Sequence, residues 1–258
     1  MSGAGPDTAT LLLLVLFGLA AGVGITAVGP GGVLATVGLF VLTDLSPAQV
    51  AGTAIVTHVA TGLLGTAAYV RSGELREPRT RRTAWVLAGA AVLGTPLGVL
   101  ANTLVSGRAF GLLLGAFVAL VGGLVWYRER RAAPTGAAHH PSSWVAAPLG
   151  FGVAVASGVF GVGGPMLTVP LLVALRMPVL AALAVAQVQS VVIATAGTLG
   201  YVAHGAVDWP LAALVGVPEL AGVLIGWRIA RALPSRTLKA GLVVVLFALA
   251  PYLALYGG

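Results

Sequence analysis

The chain carries one glycine-broken element twice, 132 residues apart. Val28-Gly29-Pro30-Gly31-Gly32-Val33-Leu34-Ala35-Thr36 recurs as Phe160-Gly161-Val162-Gly163-Gly164-Pro165-Met166-Leu167-Thr168. Each copy interrupts an apolar stretch that otherwise reads as a transmembrane helix. An unpaired backbone amide is expensive in lipid. A helix is therefore broken at membrane depth only where protein or a water-filled cavity satisfies the freed groups. Paired breaks at corresponding positions of two halves point to a binding site between those halves.

The rest of the chain fits a bilayer. Of its 258 residues, 58% are hydrophobic and only 8% charged, too little polar surface for a soluble domain of this length. The class is an all-α polytopic membrane protein in the cell membrane. The net charge of +7 comes from basic residues in short loops between apolar spans, where orientation signals belong, so nucleic acid is not an expected partner. The partners expected are the lipid bilayer and a small anion. There is no cysteine, which excludes disulfides, thiolate metal sites and thiol chemistry. The start, Met1 to Thr10, holds Asp7 and no Lys or Arg. It lacks the basic region of a cleaved signal, and the N-terminus is expected to be retained. His139 and His140 fall in a polar linker, His204 in a short loop, and His58 inside a span.

Ten apolar segments are readable. The first half gives Leu11–Val28, Val33–Leu42, Pro47–Val70, Thr83–Leu104 and Phe110–Trp126. The second gives Ser143–Phe160, Met166–Leu175, Pro178–Val202, Trp209–Trp227 and Leu238–Leu255. A span needs roughly 20 residues. Val33–Leu42 and Met166–Leu175 have ten each, about 15 Å of helix, and reach only halfway. Each therefore pairs with the segment before it as a hairpin that enters and returns. The reading is a repeat over residues 1–126, a cytoplasmic linker at 127–142 and a second repeat over 143–258, each repeat being a broken hairpin plus three spans.

Charge tests this arrangement. With the N-terminus outside, Arg71, Arg76, Arg79, Arg81, Arg82, Arg128, Arg130, Arg131, Arg176, Arg228, Arg231, Arg236 and Lys239 fall inside, and only Arg108 falls outside. Thirteen of 14 basic residues on one side satisfy the positive-inside rule. Both termini are then extracytoplasmic. Three full spans per half make the second half enter from the opposite face, so the copies form an inverted-topology repeat. Matches at the same offset include Gly65/Gly197, Thr66/Thr198, Tyr69/Tyr201, Gly73/Gly205 and Gly94/Gly226.

The glycine runs carry the chemistry. Gly29, Gly31 and Gly32, and Gly161, Gly163 and Gly164, allow a sharp turn and close approach of another group. Pro165 suits a first helical turn. The first amides of the following half-helices lack intrahelical partners and sit at the positive end of the helix dipole, which makes an anion site. The competing reading is tight helix packing by small residues. That reading accounts for Gly94-x-x-x-Gly98, Gly111-x-x-x-Gly115 and Gly222-x-x-x-Gly226, within the chain or between chains. It does not account for a break at mid-membrane.

Gly161-Val162-Gly163-Gly164-Pro165-Met166-Leu167-Thr168-Val169-Pro170-Leu171-Leu172 resembles the signature of the TauE/SafE sulfite exporter family. So does Gly200-Tyr201-Val202-Ala203-His204-Gly205-Ala206-Val207-Asp208-Trp209. The resemblance covers nearly the whole chain. It implies transport of a sulfur-containing anion such as sulfite, thiosulfate or an organosulfonate like sulfoacetate, in the direction of export. The first copy departs from the pattern, with Pro30 inside the glycine run and Gly38 where the second copy has Pro170. Its hairpin is expected to bend differently.

Several polar residues lie inside the spans. Thr53, Thr57 and Thr61 form one stripe at helical spacing, flanked by His58. In the second half Thr57 maps to Gln189 and His58 to Ser190, with Gln187 nearby. These residues, with Thr36 and Thr168 after the glycine runs, are candidate donors to an oxyanion; the alternative is interhelical hydrogen bonding. Glu219, beside Pro218, is the one acid within a full span, and Leu87 stands at its counterpart. It is either a proton-coupling group or a protonated carboxyl bonded to backbone freed by Pro218. Asp44, Asp208, Glu74 and Glu77 read as loop groups, solvated or paired with arginines. The sequence offers no nucleophile–base pair and no metal-ligand cluster, so neither an enzyme, a cofactor nor a metal is expected. The leading reading is a secondary transporter working by alternating access. A passive anion channel built on the same half-helix ends is the alternative.

Overall fold

A computed structural model of the chain describes residues 7–130 and 140–232, together with Phe247. Among the described residues seven helices are long and apolar enough to cross a membrane. They are α1 (Thr8–Ala27), α3 (Pro47–Arg71), α4 (Pro78–Thr103), α5 (Gly107–Arg130), α6 (Ser143–Phe160), α8 (Val179–Ala203) and α9 (Trp209–Ala232). Two short helices, α2 (Val33–Leu42) and α7 (Pro165–Ala174), follow the glycine runs. No strand occurs among the described residues. The expected span Leu238–Leu255 lies outside them.

Local chemistry sets most boundaries. Ser46 and Gln49 cap α3 reciprocally: the Gln49 amide donates to Ser46 Oγ and the Ser46 amide to Gln49 Oε1. Pro47, Pro78 and Pro165 occupy first-turn positions, where a missing amide costs nothing. Hydropathy alone misplaces several ends. Helix α4 begins at Pro78, ahead of the apolar run, and α5 continues through Tyr127 to Arg130. In both places the helix extends past the apolar stretch into an arginine-bearing segment.

Each glycine run turns a hairpin. Gly31 packs on Gly24 and Ile25, and Gly38 on Phe17, so α2 runs back antiparallel along α1. In the second half Leu149 and Val153 of α6 share a core cluster with Leu167 and Leu171 of α7. The tips are wholly buried. Gly29 and Gly161 adopt φ of 103° and 67°, a region that side chains rarely enter. The first arm reaches the last turns of α3. The Thr26 carbonyl, near the end of α1, accepts from the Tyr69 hydroxyl one turn from the end of α3. The chain then climbs back, and Gly32 reaches the middle of α3 before α2 begins. The two turns differ as Pro30 leads one to expect: Pro30–Gly32 is a 3-10 turn, whereas Val162 and Gly163 are non-helical.

Contacts recur between the halves. Helices α3 and α8 pack together at the centre, α1 lies on α9, and α6 lies on α4. The Tyr69 hydroxyl donates to the Thr26 carbonyl at 2.9 Å, and the Tyr201 hydroxyl to the Gly158 carbonyl at 2.6 Å, both residues shifted by 132. Glycine faces bring α4 onto α6 and α9 onto α1. A Cβ on Gly94 would strike Phe151 and Ala154, and one on Gly222 would strike Leu19 and Gly22. Gly98 meets Val155 and Gly158, as Gly226 meets Val23 and Thr26. In these contacts Gly94 corresponds to Gly222, not Gly226, and Gly98 to Gly226. The fourth helices are thus offset by 128, one helical turn from the 132 of the other elements. By the same shift Ala91, not Leu87, is the packing counterpart of Glu219.

These glycine faces let backbones touch, which in lipid is a main source of helix association. Gly98→Val is expected to lower stability by about 2–3 kcal/mol, since its side chain must displace the Val155 carbonyl and Gly158 backbone. The check is a thermal melt of the detergent-purified variant beside Gly89→Ala. A methyl at Gly89 would have nothing within 4 Å of it, so that position should tolerate the change.

Among the described residues none of the loop acids forms an ion pair with an arginine, which leaves the solvated reading. Asp208 caps α9 by accepting from the Leu211 amide at 3.0 Å, and its own amide donates to Thr53 Oγ1. Glu77 accepts from Thr80 and lies 3.2 Å from His140, which ties the end of the inter-half linker to the start of α4.

Candidate functional site

His58 stands at the centre of α3 with its side chain wholly buried. Its Nδ1 lies 2.8 Å from the carbonyl of Ala54, one turn back. A carbonyl only accepts, so Nδ1 carries the hydrogen and Nε2 faces outward from the helix. Nε2 lies 3.6 Å from Glu219 Oε1 on α9, and both side chains are 0% exposed. The two halves therefore bring their one intramembrane imidazole and one intramembrane carboxyl together.

Both hairpin tips close on this imidazole. A Cβ on Gly32 would fall 2.8 Å from His58 Nε2. A Cβ on Gly163 would fall 2.8 Å from His58 Cδ2 and 2.9 Å from Ser190 Oγ. Only glycine leaves space there. Because α2 and α7 start just after these glycines, two helix N-termini from opposite halves abut one imidazole. Each contributes partial positive charge. Ser190, the counterpart of His58 on α8, completes the cluster. Its Oγ, His58 Nε2 and both carboxylate oxygens of Glu219 are buried without a hydrogen-bond partner.

Such orphaned atoms are rare in folded proteins, and each one left unpaired costs on the order of 1–3 kcal/mol. Here four lie in one place, between two positive helix ends. Among the described residues no Arg or Lys side chain shares the site. Arg71, Arg79, Arg81, Arg82 and Arg228 sit at exposed helix ends.

The remaining expected residues divide by contact. Thr57 packs its methyl on Gly216, one turn before Glu219, and donates its hydroxyl to Ala54. Thr61 donates to Thr57, so the threonine stripe is largely satisfied by its own helix. Thr36 donates to the Gly161 carbonyl at 3.4 Å and so joins the two hairpins. Thr168 donates to Gln189 Oε1 at 2.6 Å, and Gln189 Nε2 donates to the Gly150 carbonyl. That relay fastens α7, α8 and α6 together and occupies polar groups of both side chains. Gly29 packs on Val169 and the Pro165 carbonyl, Gly31 on α1, Gly161 on Ala51, and Gly164 on Ala186 and Ser190.

Gln187 belongs beside these residues more than spacing indicates. It donates to the Ile25 carbonyl, its Oε1 is unpaired, and it fills the space over Gly65. Gly65 is two turns from His58 on α3, so Gln187 enters from α8 where α3 has no side chain. Among the described residues no group of three or more His, Cys, Asp or Glu is placed to hold a metal ion.

A protein-family model described as Sulfite exporter TauE/SafE matches residues 14–253. A probable membrane transporter protein of Xylella fastidiosa (strain 9a5c) is 33% identical over 193 residues, covering 71% of this chain and 70% of that one. The probable membrane transporter protein YdhB of Bacillus subtilis (strain 168) is 24% identical over 237 residues, covering 90% of this chain and 94% of that one. No solved structure matches.

Proposed function

The chain belongs to the TauE/SafE sulfite exporter family of membrane transporters, and on that premise we propose that it exports a small sulfur-containing anion by alternating access around His58. The substrate is sulfite, thiosulfate or an organosulfonate. The observation that carries this reading is the meeting of two half-helix N-termini, His58 and Ser190 in one buried cluster. An oxyanion there accepts from backbone amides, the Ser190 hydroxyl and a protonated imidazole, and satisfies the orphaned donors together. Neutral or cationic solutes gain none of this.

The burial of every member supports a carrier over a channel. His58, Ser190 and Glu219 are all 0% exposed, as in an intermediate closed to both faces. A passive channel needs an open path past them. The inverted-topology reading draws support from the recurring Tyr–carbonyl and Gly-x-x-x-Gly contacts. It places the arginines of the α3–α4 junction in the cytoplasm and both termini outside. Glu219, the only acid at this depth among the described residues, is the group through which a proton couples to transport.

Flux into proteoliposomes, measured side by side for sulfite, thiosulfate, sulfoacetate and taurine, tests the reading. Saturable flux of at least one of the three anions is expected, with zwitterionic taurine much slower. Unsaturable current at single-channel scale points to the channel. If an unrelated solute moves while none of the three anions does, the substrate assignment is wrong.

A further inference from the structure

We propose that His58 and Glu219 form a shared proton site that fills when the anion docks, so that a proton travels with the anion as cosubstrate rather than against it. This rests on the substrate reading above and adds the sign of the coupling.

The geometry dictates the minimum proton content. Nδ1 keeps its hydrogen on the Ala54 carbonyl. A neutral imidazole then presents a bare lone pair at Nε2 to Glu219 Oε1, 3.6 Å away. With Glu219 ionised as well, two acceptors would face each other in a wholly buried site. One proton shared by the pair relieves this, as imidazolium beside carboxylate or as imidazole beside carboxylic acid. These are two microstates of one titrating unit, and both are neutral overall.

Nothing else nearby supplies charge. The elements packed against α3 are α2, α4, α6, α8 and α9. Glu219 is the only ionisable side chain among the described residues that they turn toward His58. Helices α2, α6 and α7 contain no ionisable side chain. Tyr69 and Tyr201 direct their hydroxyls to the Thr26 and Gly158 carbonyls. The arginines of α4 and α9 whose side chains are described lie at exposed ends.

An anion seated at Gly163 and Ser190 adds one negative charge beside the ring. At a separation of about 5 Å and an effective dielectric of about 20, the pair's affinity for a further proton rises by roughly 10²–10³-fold. The imidazolium turns its Nε2–H bond toward the anion. Glu219 loses that partner and binds a proton from the open side at a carboxylate oxygen. One proton enters per anion and no bond of the anion breaks; the added charges cancel for a monoanion, and a dianion such as thiosulfate leaves one net negative charge against the two helix N-termini. Linkage makes the effect reciprocal, so the proton raises anion affinity by the same factor.

Titration calorimetry of the full-length protein in detergent reads this directly. The probe is thiosulfate, which holds no proton near neutral pH, titrated in buffers of different ionisation enthalpy. Uptake approaching one proton per anion is expected, with affinity falling as pH rises. Any thiosulfate binding kept by the double variant His58→Asn/Glu219→Gln should come without proton uptake and with a flat pH profile, since no titrating group then remains at the site. Ser190→Ala should bind roughly tenfold more weakly, yet with proton uptake intact. Thiosulfate binding by the unaltered protein without proton uptake, at constant affinity from about pH 5 to about pH 8, overturns the linkage and leaves the substrate reading standing. Failure of thiosulfate, sulfite and sulfoacetate alike to bind overturns both.

Discussion

His58→Asn is expected to cut transport by about 10²–10³-fold. Asparagine can reproduce the Nδ1 contact with Ala54, so the helix keeps its local bond. What it removes is Nε2, the atom that lies against Gly32 and 3.6 Å from Glu219. A buried carboxyl that loses its partner costs about 3–5 kcal/mol while ionised. Glu219 must then hold its own proton permanently, and the site has no cation to offer an anion. Flux in proteoliposomes checks the loss. The double variant His58→Asn/Glu219→Gln separates function from folding. It should melt higher than His58→Asn alone, because the stranded carboxyl is gone, while transport stays lost. Such non-additivity is the mark of two groups acting as one unit. Unchanged flux in His58→Asn would reduce His58 to a packing residue.

That pair was only half legible in the sequence. Each member stood out as an ionisable side chain inside an apolar span. Their meeting did not, because they lie on α3 and α9, and helical spacing says nothing about which helices touch. The hairpins were more legible. Glycine and proline punctuate them, so α2 and α6 match their expected bounds residue for residue. Polar flanks were harder: α4 begins at Pro78 where hydropathy starts at Thr83, since helix formation does not require apolar residues. A constant offset of 132 also misled at the fourth helix. A slip of about one turn keeps the same face inward, so glycines coincide at both offsets and the wrong pair, Gly94 and Gly226, looks aligned. Thr168 and Gln189 show the opposite limit. Their residue types suit an oxyanion, yet they donate to Gln189 and Gly150 respectively, a choice made by packing alone.

Gly163→Ala is expected to leave a folded protein whose anion affinity falls by roughly ten- to a hundredfold, as about 1–3 kcal/mol of overpacking enters the site. The new methyl would sit 2.8 Å from His58 Cδ2 and 2.9 Å from Ser190 Oγ, where the anion is proposed to bind. The backbone raises no objection, because Gly163 is not among the positive-φ residues. Gly161→Ala makes the opposite case two residues earlier. There φ is 67° and a Cβ would run into the Ala51 backbone, so the hairpin itself should fail and little protein should survive purification. The measurement is thiosulfate titration together with a melt on each variant. A site at the tip requires Gly163→Ala to melt near the unaltered protein and bind poorly. If Gly163→Ala binds thiosulfate as tightly as the unaltered protein, the anion does not occupy the space between the second tip, His58 and Ser190. If Gly163→Ala is lost in purification as Gly161→Ala is, glycine at 163 serves the turn, as at 161, and the second tip is not the anion site.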